Sequence, residues 1–446
     1  MKGVFFIFCF LMLFSKSFAQ SSEFEKLLDN QEIIWDMQWV GQDSIMFTEL
    51  KGKLKLLDVS SKTVTDIYDF QNLAAENQAG LMGLQLAHDF ATSRKVYVAY
   101  TFYDLNFVIF SRISSFEYNI INATLANEKI LVDSLPSRNA NLGGRLLLDS
   151  NYIYYTSGDI QNENLAQLLD NPNGKILRYN LDGSTPIDNP ITSSPIYSFG
   201  HRNPQGICKT ANGKIVISEH GPFSNDEINV LEIGRNFGWP LVGGFKEPAN
   251  EALYNQFNIV EPIAAFTPTI APAGIDFYSN TLYPSLSNSL LVATLKDNAI
   301  YVLKMNLNQD SVLSTTRLGL EPLGRIRDVL ISPDGRVFAA TSNKDFYGEP
   351  KDGDDIIFEI FEGFWTSTKN LYPNNIKINS TNNGFSVSSN SQELINYKLY
   401  SIAGKLVSQD NLNNNQKVVF QNLVSGIYIL EVAQGQFKTS KKFVFH

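Results

Sequence analysis

Hydrophobic and polar positions alternate along this chain in short runs, and the runs stop at clusters of Gly, Asn and Asp. A period of two predicts strands with one face buried, and the three-to-four-residue spacing of a long amphipathic helix is missing. A larger pattern recurs. It consists of a short strand, a turn carrying Asp, Asn or Gly, a second strand rich in β-branched or aromatic residues, and a third strand. It begins near Ile34, Gly80, Leu142, Gly206, Gly274 and Arg327. That is six units over about 345 residues, each about 58 long with its loops. One such unit cannot bury both faces of its own sheet, so the units must close on each other. The expected fold is therefore all-β, a six-bladed β-propeller over residues 20–365 with ligands bound at the mouth of its central channel. Two β-sandwiches with coincidental spacing would be the competing arrangement.

The ends of the chain read differently. Lys2 precedes an apolar run, Gly3 to Phe14, and Ser17-Phe18-Ala19 has the small-x-small form of a cleavage site, so residues 1–19 are expected to be a signal peptide. The run falls short of the roughly 20 residues that span a bilayer. A buried first strand is the alternative. Cys9 lies inside the run and not after it, against a lipid anchor, and no transmembrane anchor is expected elsewhere. Beyond residue 365 the chain becomes rich in Asn and Ser. Residues 366–370 read as a linker and 371–446 as a small immunoglobulin-like β-sandwich.

Charge supports the division. The whole chain carries -9, but the tail carries about +5 and the body about -16, an asymmetry expected of modules with different jobs. A strongly acidic body without a basic stripe excludes nucleic acid as a partner. Only two cysteines are present, and removal of the leader would leave Cys208 alone, so no disulfide framework exists. No Gly-x-Gly-x-x-Gly, phosphate loop or zinc spacing occurs, which argues against nicotinamide, flavin and zinc chemistry.

Candidate chemistry is densest between Tyr197 and Val242, in YSFGHRNPQG, ISEHGPFSNDEIN and GRNFGWPLVGG. Arg202 beside Asn203 offers a fixed fork of donors for carbonyl or carboxylate oxygens. The Gly221-Pro222 loop can turn backbone carbonyls toward a hard cation, and Asp226 and Glu227 carry oxygens of the kind calcium takes. Taken alone, these residues suit an ordinary blade with a salt-bridged Arg equally well.

These runs resemble the soluble quinoprotein glucose and aldose sugar dehydrogenases, the glucose/sorbosone dehydrogenase family. The likeness extends through Gln78-Ala-Gly-Leu-Met-Gly83, GGRL, GKILRYNLDGSTPIDNP, Lys296 and Gly324-Arg-Ile-Arg-Asp-Val329, nearly the entire body. The resemblance implies a secreted oxidoreductase that uses pyrroloquinoline quinone and Ca2+ and oxidises the C1 hydroxyl of an aldose or related alcohol by hydride transfer. It places Arg202 and Asn203 at the quinone's reactive carbonyls and Gln78 near cofactor and substrate. Lys296, Arg325 and Arg327 would hold the cofactor's carboxylates, and calcium would sit on the carbonyl oxygens of Gly221 and Pro222. The spacing of Arg325 and Arg327 sends both to one face of a strand.

One departure governs the functional expectation. Where the family has its catalytic histidine, this chain has Asn141, whose carboxamide does not titrate near neutrality. His201 and His220 read as hydrogen-bonded structural residues, His88 lies in a turn and His446 ends the tail. Three accounts remain: a dehydrogenase with a relocated base, such as Asp159 or a metal-polarised water; a sugar- or cofactor-binding propeller with weakened or no turnover; and a calcium-dependent hydrolase or lactonase, in which the cationic set has no role. Neither the sugar nor the electron acceptor is specified by the chain. The tail, with Tyr-Pro-Asn at its start, then LYSIAGKLV, SGIYIL and a basic final strand, resembles the C-terminal sorting domain of the type IX secretion system. It implies that machinery as a partner.

Overall fold

The computed structural model describes residues 23–366 and, further on, 377–381, 384–388, 394–402, 404–413, 416–420, 423–434 and 437–445. The expected signal peptide, most of the linker and the Tyr-Pro-Asn start of the tail lie outside the described residues. The chain divides into two compact units between Thr366 and Ser367. Helix is confined to short turns such as Glu251–Gln256, and no helix among the described residues is long and apolar enough to cross a membrane.

The first unit contains six four-stranded sheets. Their inner strands are Ile34–Gly41, Leu81–Leu86, Gly143–Leu148, Pro204–Lys209, Pro272–Tyr278 and Ile326–Ile331. Each starts within two residues of, or at, a repeat start expected from the sequence. They touch one another in cyclic order, the sixth returning to the first, so the blades form a closed ring. The N-terminal strand Phe24–Leu28 supplies the outer strand of the sixth blade by pairing with Ile357–Ile360. Apolar side chains fill the spaces between blades. Phe47, Phe338 and Ile34, for example, pack between the first and sixth.

Every inner strand shifts register near its first residues, between Ile34 and Asp36, Leu81 and Leu84, Gly143 and Leu146, Pro204 and Gly206, Pro272 and Ile275, and Ile326 and Asp328. Such bulges bend a strand and re-aim its side chains. Because these six bulges all sit at the same end of the channel, that end carries re-aimed side chains from every blade.

Buried charge fills the axis. Arg145 Nη1 lies 2.9 Å from Asp36 Oδ1 and 3.1 Å from Asp328 Oδ1, and its Nε donates to the Gln205 carbonyl at 2.9 Å. Asp36 accepts the Leu84 N–H, Asp328 the Met37 N–H and Asp276 the Ile331 N–H, each at 2.9 Å. In each case a carboxylate on one inner strand holds the backbone of the next. Gly274 packs so closely here that a Cβ would stand 1.8 Å from Asp328 Oδ1. Burial pushes the Asp36 and Asp328 carboxyls up, with Arg145 pulling against it, and burial pushes Asp276 up to about 6.

In the second unit, two sheets face one core. One contains Lys377–Thr381, Gly384–Ser388 and Lys417–Val419; the other contains Leu406–Leu412, Ile395–Ser401, Gly426–Gln434 and Phe437–Phe445. Phe385 and Val387 of the first pack with Ile395, Leu399 and Leu430 of the second, the expected small sandwich.

Replacing Arg145 by Met leaves two buried carboxylates facing each other and is expected to cost about 3–5 kcal/mol of stability. Burial raises the folded-state pKa of both groups above the unfolded value, so the folded state binds protons more readily. The deficit should therefore shrink as pH falls from about 8 to about 5, read by urea unfolding at both pH values.

Candidate active site

A cavity of ≈ 450 Å³ opens at the bulged end of the channel. Two kinds of segment build it. One is the start of each inner strand with the residues just before it, and the other is the turn between the second and third strands of a blade. The first kind brings Gln78, Asn141, Asn203 and the two arginines of the sixth blade, and the second brings His220 to Pro222, Lys296 and Asp345.

Arg202 is held from several sides. Its backbone N–H donates to Glu219 at 3.0 Å, Nη1 donates to the carbonyls of His220 (3.2 Å) and Gly221 (3.0 Å), and its guanidinium lies 5.5 Å from the centre of the Trp239 ring. Asn203 accepts from the Gly143 N–H at 3.2 Å and from Gln205 Nε2 at 3.0 Å. Lys296 donates to Thr269 at 2.6 Å. Arg325 and Arg327 reach the same point, as their spacing predicts: Arg325 Nη2 and Arg327 Nη2 lie 2.9 and 3.0 Å from Asp345 Oδ2. Burial lowers the Arg327 pKa to about 10, opposed by Asp345 and reinforced by Arg325 and Arg145. It remains a cation at neutral pH.

Asn141 adopts a left-handed backbone, with φ of 53°, a conformation Asn tolerates better than most residues. Its N–H donates to Gln78 Oε1 and its Nδ2 to Asp159 Oδ1, both at 3.0 Å. The carboxamide oxygen is thereby left for the cavity. Asp159 also accepts from the Gln161 N–H and from Trp239 Nε1, both at 2.9 Å.

The cavity thus brings together Gln78, Asn141, Arg202, Asn203, Gly221, Pro222, Asp226, Lys296, Arg325 and Arg327. It excludes Asp159 and Glu227. Asp159, expected as a relocated base, is 2% exposed and stands behind Asn141, with its oxygens taken by three donors. Asp226 and Glu227, expected to add oxygens to a cation site, are neighbours in a strand and face opposite ways. Asp226 accepts the N–H groups of Gly221, Ile270 and Ala271 at 2.7–2.8 Å. Glu227 instead lines a separate space of about 20 Å³ with Glu219, where burial and the Glu219 charge push its carboxyl up. Among the described residues, no group of three or more His, Cys, Asp or Glu side chains is placed to hold a metal.

His201 is structural, as expected: it is fully buried, bonded to Ser198 and Glu219 and stacked on Phe237. His220 is different. Its Nε2 donates to the Pro272 carbonyl at 3.0 Å, yet it lines the cavity. Burial and the charges of Arg202 and Arg327 lower its pKa to about 3, so it is neutral at ordinary pH. Sequence reasoning also missed Asp345 and the adjacent Phe346 and Tyr347, which are 68% and 64% exposed. An exposed aromatic pair beside an acid in a loop after a strand is the signal that marks them.

Asp159→Ala should strand the Trp239 indole and the Asn141 amide, lowering stability by about 1–3 kcal/mol. Asp159→Asn keeps one acceptor oxygen and should lose less, as thermal unfolding of the two variants will show.

The glucose / sorbosone dehydrogenase family model matches residues 31–347, and the secretion system C-terminal sorting domain model matches residues 370–446. The chain is 30% identical to quinoprotein glucose dehydrogenase B of Acinetobacter calcoaceticus, across 72% of this chain and 85% of that one. It is 28% identical to an aldose sugar dehydrogenase of Escherichia coli strain K12, across 71% and 89%. In fold it is similar to the aldose sugar dehydrogenase of Streptomyces coelicolor solved with pyrroloquinoline quinone bound: TM-score 0.66, 24% identity, 75% of this chain and 96% of that chain.

Proposed function

Because the chain belongs to the glucose/sorbosone dehydrogenase family, we propose that it is an exported oxidoreductase that uses pyrroloquinoline quinone and oxidises the C1 hydroxyl of an aldose sugar or related alcohol. The observation that carries this reading is the convergence of Arg202, Lys296, Arg325 and Arg327 on one cavity in an otherwise acidic module. Four fixed cations are more than a neutral sugar needs, and they suit a ligand with several carboxylates. The cavity also holds two buried polar atoms without a hydrogen-bond partner among the described residues, Arg327 Nε and Asn77 Oδ1. They leave one donor and one acceptor unsatisfied beside the site.

Lys296, Arg325 and Arg327 would hold the carboxylates, and Arg202 with Asn203 would face the quinone oxygens. The bound quinone would supply a two-electron acceptor for the hydride leaving the sugar. Arg202 would stabilise negative charge as it develops and, being already fixed by three hydrogen bonds, would need little rearrangement. The carbonyl oxygens of Gly221 and Pro222 would be the protein's share of a calcium site. Two neutral oxygens do not make a calcium cage, so the ligand itself must complete it.

The remaining task is the hydroxyl proton. Asn141, positioned by Asp159 and Gln78, can accept a hydrogen bond from the hydroxyl through its carboxamide oxygen and so orient the sugar. It cannot take the proton. The arrangement therefore also favours a second reading, a propeller that binds quinone and sugar but turns over slowly or not at all. The tail would serve as an address for the type IX secretion machinery.

Titrating the purified protein with pyrroloquinoline quinone should give a saturable absorbance change at micromolar cofactor, with tighter binding in calcium than in chelator. No change in either condition would overturn the cofactor assignment. Asn141→His should raise aldose-dependent dye reduction by about 10²–10⁴-fold. Equal, high rates in both proteins would place the base elsewhere. Deleting residues 371–446 should leave a folded propeller trapped in the periplasm, as cell fractionation would show.

A further inference from the structure

Asp345 occupies the place in the cationic wall that a ligand's carboxylate would take. Its Oδ2 accepts from Arg325 Nε at 3.1 Å, Arg325 Nη2 at 2.9 Å, Arg327 Nη2 at 3.0 Å and Ser342 Oγ at 3.2 Å. These are the bonds that an arginine pair makes to a bound carboxylate. The side chain is only 7% exposed and belongs to the cavity wall.

The other half of the residue organises the rim. Asp345 Oδ1 accepts the Tyr347 N–H at 2.9 Å, and its carbonyl accepts the Gly348 N–H at 3.0 Å. Phe346 and Tyr347 stand edge to face at the mouth, with ring centres 5.0 Å apart. The base of this loop is tied separately, since Asn343 Oδ1 accepts the Arg325 N–H at 2.8 Å. One side chain therefore touches both the ligand-binding arginines and the turn that carries the aromatic pair.

We propose that Asp345 is a specificity-determining internal counter-ion, which competes with ligand carboxylates for Arg325 and Arg327 and so reserves the cavity for molecules carrying several. The ligand's identity rests on the quinone reading above; the competition requires only that the ligand be a carboxylate. A monocarboxylate offers these arginines nothing that Asp345 does not already provide, and it must bear the repulsion of a like charge a few ångströms away. A polycarboxylate can engage Lys296 and Arg202 as well and outweigh the internal competitor. When it does, Asp345 loosens from the arginines, and the turn holding Tyr347 loosens with it.

The test compares wild type, Asp345→Asn and Asp345→Glu as full-length proteins. Calorimetry with benzoate and benzene-1,3,5-tricarboxylate at low and high salt measures selectivity. In Asp345→Asn the tricarboxylate should bind about tenfold more tightly at low salt and benzoate should gain by a larger factor, so that the preference for the tricarboxylate narrows, with both gains shrinking at high salt. Benzoate, undetectable in wild type, should become measurable, and Asp345→Glu should restore rejection. Hydrogen exchange at the Tyr347 and Gly348 amides of wild type should accelerate when the tricarboxylate is added, a readout that needs no variant to fold.

Tricarboxylate binding to Asp345→Asn that is unchanged or weaker than wild type, in a variant whose melting shows it folded, would reduce Asp345 to a structural tie and overturn the proposal. Unchanged exchange in wild type at saturating tricarboxylate would do the same. Absence of tricarboxylate binding to both proteins would also overturn it. If the quinone fails to bind wild type but the selectivity change appears, the cofactor assignment falls and the role of Asp345 stands. If the quinone binds and selectivity does not change, only the role of Asp345 falls.

Discussion

The structure depends on a buried arginine on the axis of a ring. Arg145 joins the third blade to Asp36 of the first, Asp328 of the sixth and the backbone of the fourth blade's inner strand. An ion cluster taken out of water stabilises little by itself, because desolvation offsets most of the attraction. What it supplies is angular definition. Hydrophobic packing between blades tolerates sliding, whereas a guanidinium shared by two carboxylates that also grip the next strand's N–H groups does not. The cavity is made from the first residues of those same inner strands, so its geometry inherits the precision of the axis.

Much of this was legible in the chain. Two-residue alternation set out the strands, and the six repeat starts fall at or within two residues of the inner strands. The cationic set was legible through the family resemblance, and for Arg325 and Arg327 also through their two-residue spacing, which puts both side chains on one face of a strand. Acids were harder. The roles of Asp159 and Asp345 depend on partners far away in sequence, Trp239 for the first and Arg325 with Arg327 for the second. No local spacing reports such contacts. Asp226 and Glu227 are parted, the first lining the cavity and the second a separate space, as adjacency in a strand itself implies.

Electrostatics gives the cavity its character. Two carboxylates border it, and both are engaged: Asp226 by three backbone N–H groups and Asp345 by two arginines. Its one imidazole is kept neutral by burial and by the charges of Arg202 and Arg327. The field at the channel mouth is therefore positive within a negative module, which draws an anion toward the mouth while the outer surface repels it. Asn141 adds a neutral polar group to that site. It lines the cavity with a carboxamide, held by Gln78 and Asp159, that can form hydrogen bonds and does not titrate.

The strand Phe24–Leu28 closes the ring by pairing with Ile357–Ile360. This has a consequence for the order in which the molecule can be made. The sixth blade carries Arg325, Arg327 and Asp345, and it lacks its outer strand until the two ends of the propeller meet across more than three hundred residues. Contacts so distant in sequence form late and slowly. A chain still emerging from the ribosome, or still threading through an export channel, therefore has no finished cavity. The cavity is complete only once both ends of the propeller are present and paired.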